Sequence, residues 1–119
     1  MRSSEYVRGR GLELVEAVEG KPGPGQVRLE VSHVGICGTD LHLLHGAMDH
    51  RTGDRRVIGH EASGVVVAAG EGALLDLGTH AALLPVQSCG QCGACTDGNS
   101  HVCQRLVFTG IDASGALQE

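Results

Sequence analysis

Four cysteines near the end of the chain follow the spacing Cys-x2-Cys-x2-Cys-x7-Cys: Cys89, Cys92, Cys95 and Cys103. Cysteines three residues apart can bind one ion when the loop between them folds over it, and four thiolates complete the closed tetrahedral shell of a structural zinc site. The segment from 89 to 103 has few apolar side chains, so it needs a metal rather than a core to order it. The spacing therefore predicts a zinc lobe over residues 88–104.

Two other uses of these cysteines stay open. Disulfides are disfavoured because the chain has five cysteines, an odd number. An iron–sulfur cluster is the stronger alternative, since the first three cysteines match the start of a bacterial ferredoxin run, but Cys103 comes too late and no proline follows it. His101 could compete as a ligand, and we expect it at the surface.

A second group of metal-binding side chains lies earlier in the chain, where Cys37 and His60 each stand at the end of an apolar segment. A catalytic zinc uses three protein ligands and leaves one position open. Cys37 and His60 would supply two, and Glu61 would be the third ligand or a nearby charge. Asp40 could accept a hydrogen bond from the His60 ring and fix its tautomer. Taken alone, the pattern also fits a cysteine that packs and a histidine with a structural role.

Strands and one short helix must position these residues. Residues 26–34 alternate apolar and polar side chains, which predicts a strand leading into Cys37. Thr39 and Asp40 are good N-cap residues for a short helix that Gly46 ends. Residues 57–58 approach His60, and residues 62–69 read as a buried strand. The remaining predicted elements are a strand with one wet face over 11–19, a turn over 20–25, an exposed loop over 47–56, an apolar strand over 81–86 and a short strand over 106–108.

Composition limits the class of protein. The 119 residues are 41% hydrophobic and include 19 glycines, which favours one globular, mainly β domain with short helices. The net charge of −5 without a basic run disfavours nucleic acid as a partner. No apolar run reaches the roughly 18 residues of a membrane span, and the N-terminus has no signal-peptide pattern. We expect a cytoplasmic protein with reduced cysteines.

The motifs in combination resemble a known family. The run Gly-Ile-Cys-Gly-Thr-Asp-Leu-His (35–42), then Gly-His-Glu-Ala-Ser-Gly-Val-Val (59–66), then the four-cysteine lobe is similar to the zinc-dependent medium-chain alcohol dehydrogenases, with the polyol and threonine dehydrogenase branch nearest. This resemblance implies a GroES-like, partly open β-barrel over residues 1–119. It also implies oxidation of a small-molecule alcohol or polyol by hydride transfer to NAD or NADP, in a homo-oligomeric parent protein.

The resemblance also assigns roles to individual residues. It makes Cys37 and His60 ligands of a catalytic zinc, with Glu61 beside that metal. Thr39 matches the hydroxyl that takes the proton of the substrate alcohol, and His42 matches the histidine that passes this proton towards solvent. The last set of matches, to the structural zinc ligands, comprises Cys89, Cys92, Cys95 and Cys103.

The chain departs from the family in one large respect. The family continues into a Rossmann domain, and no Gly-x-Gly-x-x-Gly follows a strand here. We therefore expect a catalytic domain truncated at the C-terminus, lacking the last barrel strands and any downstream ligand, and inactive by itself. Two alternatives remain: a non-catalytic module that holds metal tightly in the cysteine lobe only, and a glycine-rich β domain with incidental cysteines.

Overall fold

Eight short strands form most of the regular structure in the computed structural model, which describes all 119 residues. The helices are α1 (Gly38–Leu44), α2 (Asp49–Thr52) and α3 (Gly93–Thr96), and a 3₁₀ turn covers Ser100–Val102. None of the helices is long and apolar enough to cross a membrane. The strands in chain order are β1 (Arg2–Val7), β2 (Gly11–Glu16), β3 (Val27–Gly35), β4 (Arg55–Val57), β5 (Glu61–Ala69), β6 (His80–Ala82), β7 (Val86–Gln87) and β8 (Val107–Phe108).

The strands form three small antiparallel sheets instead of a closed barrel. Their strand orders are β2-β1-β4, β3-β5-β6 and β7-β8. An isolated bridge between Ser3 and Gln118 brings the last residues against β1. This arrangement confirms the predicted mainly β, partly open fold with short helices.

The long pair β3–β5 determines where the chemistry lies. Its antiparallel register runs from Val27 opposite Ala69 to Gly35 opposite Glu61, with two irregularities on the way. The end of β3 therefore faces the beginning of β5. Cys37 follows β3 by two residues and His60 precedes β5 by one, so the strand register alone brings these two side chains to the same edge.

The core lies beneath α1 and the segment that leads to His60. Its fully buried members are Tyr6, Leu43, Ile58 and Ile111, all at most 2% exposed. Partly buried apolar side chains, including Phe108, pack against this cluster. Burying aliphatic and aromatic area here contributes to stability and fixes the start of the 58–60 segment.

The prediction of a loop over 47–56 is wrong, although most of these residues are exposed as expected. Helix α2 and strand β4 occupy most of it, and Thr52 is 1% exposed. Its polar side chains are used in ion pairs to distant segments: Arg55 binds Glu5 with an N–O distance of 2.9 Å. A polar composition therefore reflected cross-strand pairing here and not a lack of structure.

Three strand predictions need smaller corrections. The strand expected over 81–86 is split into β6 and β7, because the intervening segment ends in Pro85, which has no N–H to offer a sheet. The strand over 62–69 is only partly buried, with Gly64 and Val66 buried and Val67 and Ala69 exposed. In β2, the outward face carries the leucines, while Glu13 turns inward to bind Arg55 and the nearby Arg10.

Candidate metal centres

The four cysteines of the lobe converge on one point. Their sulfur atoms all lie within 4.8 Å of one another. The Cys92 sulfur lies 3.5 Å from that of Cys95 and 3.8 Å from that of Cys103, while Cys89 and Cys95 are 3.9 Å apart. These separations are far longer than a disulfide bond of about 2.05 Å and suit four sulfurs arranged around one ion.

The local backbone directs N–H groups at these sulfurs. The N–H of Cys92 donates to the sulfur of Cys89 at 3.3 Å, and Gln91 N–H donates to the same sulfur at 3.5 Å. The N–H of Cys89 in turn donates to the sulfur of Cys103 at 3.3 Å. Helix α3 supplies the turn between the second and third cysteines. Donors of this kind favour the ionised form of the thiol, which is the form that binds metal.

The thiols of the lobe have different proton affinities. Hydrogen bonds from the N–H groups of Gln91 and Cys92 lower the pKa of Cys89 to about 6. The pKa of Cys92 is also lowered, chiefly by a backbone N–H from Gln104. Burial raises the pKa of Cys95 to about 11. One sulfur is thus ready to bind a cation at neutral pH, whereas Cys95 must first lose its proton.

Two residues near the lobe cysteines, His101 and Arg105, differ in their contact with the sulfurs. His101 is exposed and lies outside the group of four, as expected. Arg105 was not anticipated: its Nη2 lies 3.5 Å from the sulfur of Cys89, and its backbone N–H donates to the sulfur of Cys103 at 3.3 Å. The only signal in the sequence is a basic residue two positions after the last cysteine.

The second group is formed by Cys37, His60 and Glu61. The sulfur of Cys37 lies 3.1 Å from Nε2 of His60, and a carboxylate oxygen of Glu61 is within 4.8 Å of both. His60 is buried, Cys37 is half-buried and Glu61 is exposed. A thiol, an imidazole and a carboxylate at one partly open point can provide three ligands to a divalent cation and leave a position free.

Asp40 connects the two inner residues of this group. Its Oδ2 accepts a hydrogen bond from the backbone N–H of Cys37 at 2.9 Å. Its Oδ1 lies 3.6 Å from Nδ1 of His60, is buried, and has no other partner. A buried carboxylate oxygen facing the far ring nitrogen is the arrangement expected of a histidine that binds metal through Nε2.

The same contact corrects the predicted start of α1. The N-cap is Cys37, and Thr39 and Asp40 are its second and third helical residues. Asp40 reaches back to the Cys37 N–H instead of capping forward. Thr39 is half-buried and His42 is exposed, and their spacing of three places them on neighbouring positions of one helix face.

Residues between Phe108 and Leu117 support His60 and the segment that precedes it. The sequence alone did not indicate this role. The Phe108 ring meets the His60 ring edge-on, with 5.3 Å between centroids and an interplanar angle of 65°. The N–H groups of Gly115 and Leu117 donate to the carbonyls of Val57 and Ile58 at 2.7 and 2.9 Å. Gly115 has no room for a side chain, because an added Cβ would overlap the carbonyl oxygen of Ile58. The contacts are long-range and carry no local sequence pattern.

Comparison with known proteins places these motifs among dehydrogenases. Residues 23–119 match the alcohol dehydrogenase GroES-like domain. The chain is 44% identical over 119 residues to a 2-dehydro-3-deoxy-L-galactonate 5-dehydrogenase of Pseudoalteromonas atlantica, covering 99% of this chain and 35% of that protein. It is 39% identical over 114 residues to an L-threonine 3-dehydrogenase of Pyrococcus horikoshii, covering 93% and 33% respectively.

A solved structure shows the same fold. A short chain alcohol dehydrogenase of E. coli CFT073, crystallised with the cofactor NADH, superimposes with a TM-score of 0.89 at 38% identity. The match covers 98% of this chain and 34% of that one. The chain thus spans about a third of the length of the relatives it matches.

Proposed function

The chain belongs to the alcohol dehydrogenase GroES-like domain family, as its motifs predicted, and on that premise we propose that it supplies the metal-binding catalytic domain of a zinc-dependent oxidoreductase. The reaction is oxidation of an alcohol or polyol by hydride transfer to NAD or NADP. The observation that carries this proposal is the distance of 3.1 Å between the Cys37 sulfur and Nε2 of His60, with Glu61 beside them.

Each residue near the Cys37–His60 pair has a role in the proposed reaction. A zinc ion bound here supplies Lewis-acid polarisation of the substrate hydroxyl. Cys37 and His60 bind the ion, with Glu61 as the third ligand or an adjacent charge. The Thr39 hydroxyl would accept the proton that the substrate loses while releasing its own proton along the relay, and His42, exposed on α1, would pass a proton to solvent. Asp40 holds the His60 ring in the required orientation.

The cysteine lobe has an architectural task in this proposal. Cys89, Cys92, Cys95 and Cys103 bind a second zinc ion that orders residues 88–104. Four converging sulfurs leave no open coordination position, so substrate is excluded from this ion. We propose a reducing, cytoplasmic location, in which these thiols stay available for metal.

The relatives provide the basis for the proposed substrate class. The two relatives named above are dehydrogenases of a sugar-acid derivative and of an amino acid. We propose that the substrate is likewise a small polar molecule with a secondary hydroxyl. NADH in the related E. coli structure supports a nicotinamide cofactor without deciding between NAD and NADP.

A ligand-exchange experiment tests whether a metal ion at the Cys37 site has a coordination position open to substrate. The purified chain is loaded with Co²⁺ and titrated with a thiol analogue of a small alcohol while the visible absorption bands are followed. We expect the spectrum to shift, to shift equally in Cys92→Ser, and to stop responding in Cys37→Ser. A response that is lost in Cys92→Ser and kept in Cys37→Ser would contradict the assignment.

One observation favours a second function, a non-catalytic zinc module. The lobe provides four converging sulfurs, whereas the Cys37 group provides three donors of which one, Glu61, is exposed. A module of this kind binds one metal ion tightly in the lobe and none at Cys37. The same titration separates the two functions, because the module predicts no response to the analogue in any variant.

A further inference from the structure

Arg105 contacts the sulfurs of the lobe in two ways. Its backbone N–H donates to the sulfur of Cys103 at 3.3 Å, which fixes the residue against the last cysteine. Its guanidinium Nη2 lies 3.5 Å from the sulfur of Cys89, the first of the four cysteines in the chain. The Arg105 side chain remains exposed to solvent, so it lies over the outside of the four sulfurs without enclosing them.

The charge of the lobe makes this contact significant. Four thiolates around one divalent cation leave an excess of two negative charges. Residues 88–104 contain no lysine or arginine, and Asp97 adds a further negative charge. The backbone N–H donors are neutral and cannot remove this excess. Arg105 is the first basic residue after the lobe and the one with a guanidinium within hydrogen-bonding distance of a sulfur.

We infer that Arg105 is a charge-compensating residue for the metal in the cysteine lobe, holding the Cys89 sulfur in place through its guanidinium and slowing loss of the ion. The inference rests on the proposed zinc site of the lobe and goes beyond it by assigning a residue that is not a ligand. A cation beside one sulfur offsets part of the excess negative charge and so stabilises the metal-bound lobe relative to the metal-free lobe, whose thiols can take up protons instead.

Zinc release to a colorimetric chelator in excess measures this effect. All variants carry Cys37→Ser, so that only the lobe contributes released zinc. Arg105→Gln removes the charge while keeping the backbone contact to Cys103, and Arg105→Lys keeps the charge. Arg10→Gln is the matched control, because Arg10 is an exposed arginine that pairs with Glu13 and not with a sulfur.

We expect Arg105→Gln to release zinc about 2- to 5-fold faster than the background chain at low salt. The difference should shrink in about 1 M NaCl, where the screening length falls to roughly 3 Å. Arg105→Lys should lie between the two, and Arg10→Gln should match the background.

Two results would overturn the inference and leave the zinc lobe intact: equal release from Arg105→Gln and the background, or a difference that salt does not change. The proposed zinc site of the lobe fails in a different way: a Cys37→Ser background that binds no zinc before the chelator is added shows that the lobe does not hold zinc.

Discussion

The sulfur of Cys37 lies 3.1 Å from Nε2 of His60 because the strands that carry them end opposite each other. Gly35, the last residue of β3, pairs with Glu61, the first residue of β5. Asp40, on α1, contacts both residues. Its carboxylate accepts a hydrogen bond from the backbone N–H of Cys37 and faces the ring of His60. Backbone pairing therefore assembles the donor set, and a single buried carboxylate orients it.

The first prediction concerns Asp40. Asp40→Asn keeps the size of the side chain and an oxygen for the Cys37 N–H, but it replaces the charge that faces Nδ1 of His60. We expect Co²⁺ affinity at the Cys37 site to fall about 10-fold, in line with changes to carboxylates that support metal-binding histidines. Competition titration with a chelator measures this. Asp76→Asn, in an exposed loop, is the control, and an equal affinity in both variants would refute the role of Asp40.

Cys92→Ser addresses the coupling between metal and order in the lobe. Cys92 is buried among the other sulfurs, and residues 88–104 have little apolar area to hold them without an ion. We expect fast amide hydrogen exchange throughout this segment in the variant, with β3 and β5 protected as before. Thr96→Ser is the matched control in α3. Unchanged protection in residues 88–104 would show that the lobe is ordered by something other than metal.

Gly115→Ala tests the support beneath His60. An added methyl group would overlap the Ile58 carbonyl oxygen, and the backbone of both segments is held by hydrogen bonds. We expect a loss of roughly 3 kcal/mol or more in the free energy of unfolding, together with weaker metal binding at Cys37. Gly20→Ala is the control, since nothing lies within 4 Å of its added Cβ. Equal stability of the two variants in urea would contradict this packing.

The pair Arg51–Asp112 predicts a pH dependence. Arg51 binds Asp112 through two N–H groups at 2.9 and 2.6 Å, and these hydrogen bonds lower the pKa of Asp112 below its ordinary value of 3.8. The folded state therefore binds this proton less tightly than the unfolded state. The resulting stabilisation is fully present above the unfolded pKa and is lost as pH falls through the lower folded pKa.

Asp112→Asn should thus destabilise the chain by up to about 1 kcal/mol at pH 7, a small value because Arg51 is partly exposed to solvent. The difference from the unaltered chain should shrink as pH falls below 3.8 and Asp112 becomes protonated. Urea unfolding at a series of pH values measures both quantities. A difference that persists undiminished in acid would mean that the aspartate acts through something other than its charge.

Sequence reasoning identified the candidate metal centres because several of the possible ligands follow a local spacing. Three of the lobe cysteines stand three apart, and the clean alternation over 26–34 predicted the strand that delivers Cys37. Cys37 and His60 were paired as possible ligands because each follows an apolar segment, and the family resemblance favoured that pairing over a packing role. The comparison with known proteins confirmed the family.

The features that the sequence did not predict depend on contacts between segments far apart in the chain. The edge-on contact of Phe108 with His60, and the fit of Gly115 against Ile58, leave no periodic pattern to read. Charged residues were misjudged for a related reason. Arg55 and Glu13 looked like solvated positions, yet they form an ion pair across the intervening strand β1, and residues 47–56 contain regular structure.

Zinc content of the purified chain tests the central claim most directly. Elemental analysis should give two zinc ions per unaltered chain, one in Cys37→Ser and one in Cys92→Ser, because the two centres share no ligand. A chain that contains no zinc, or a zinc content that neither substitution changes, would contradict the account.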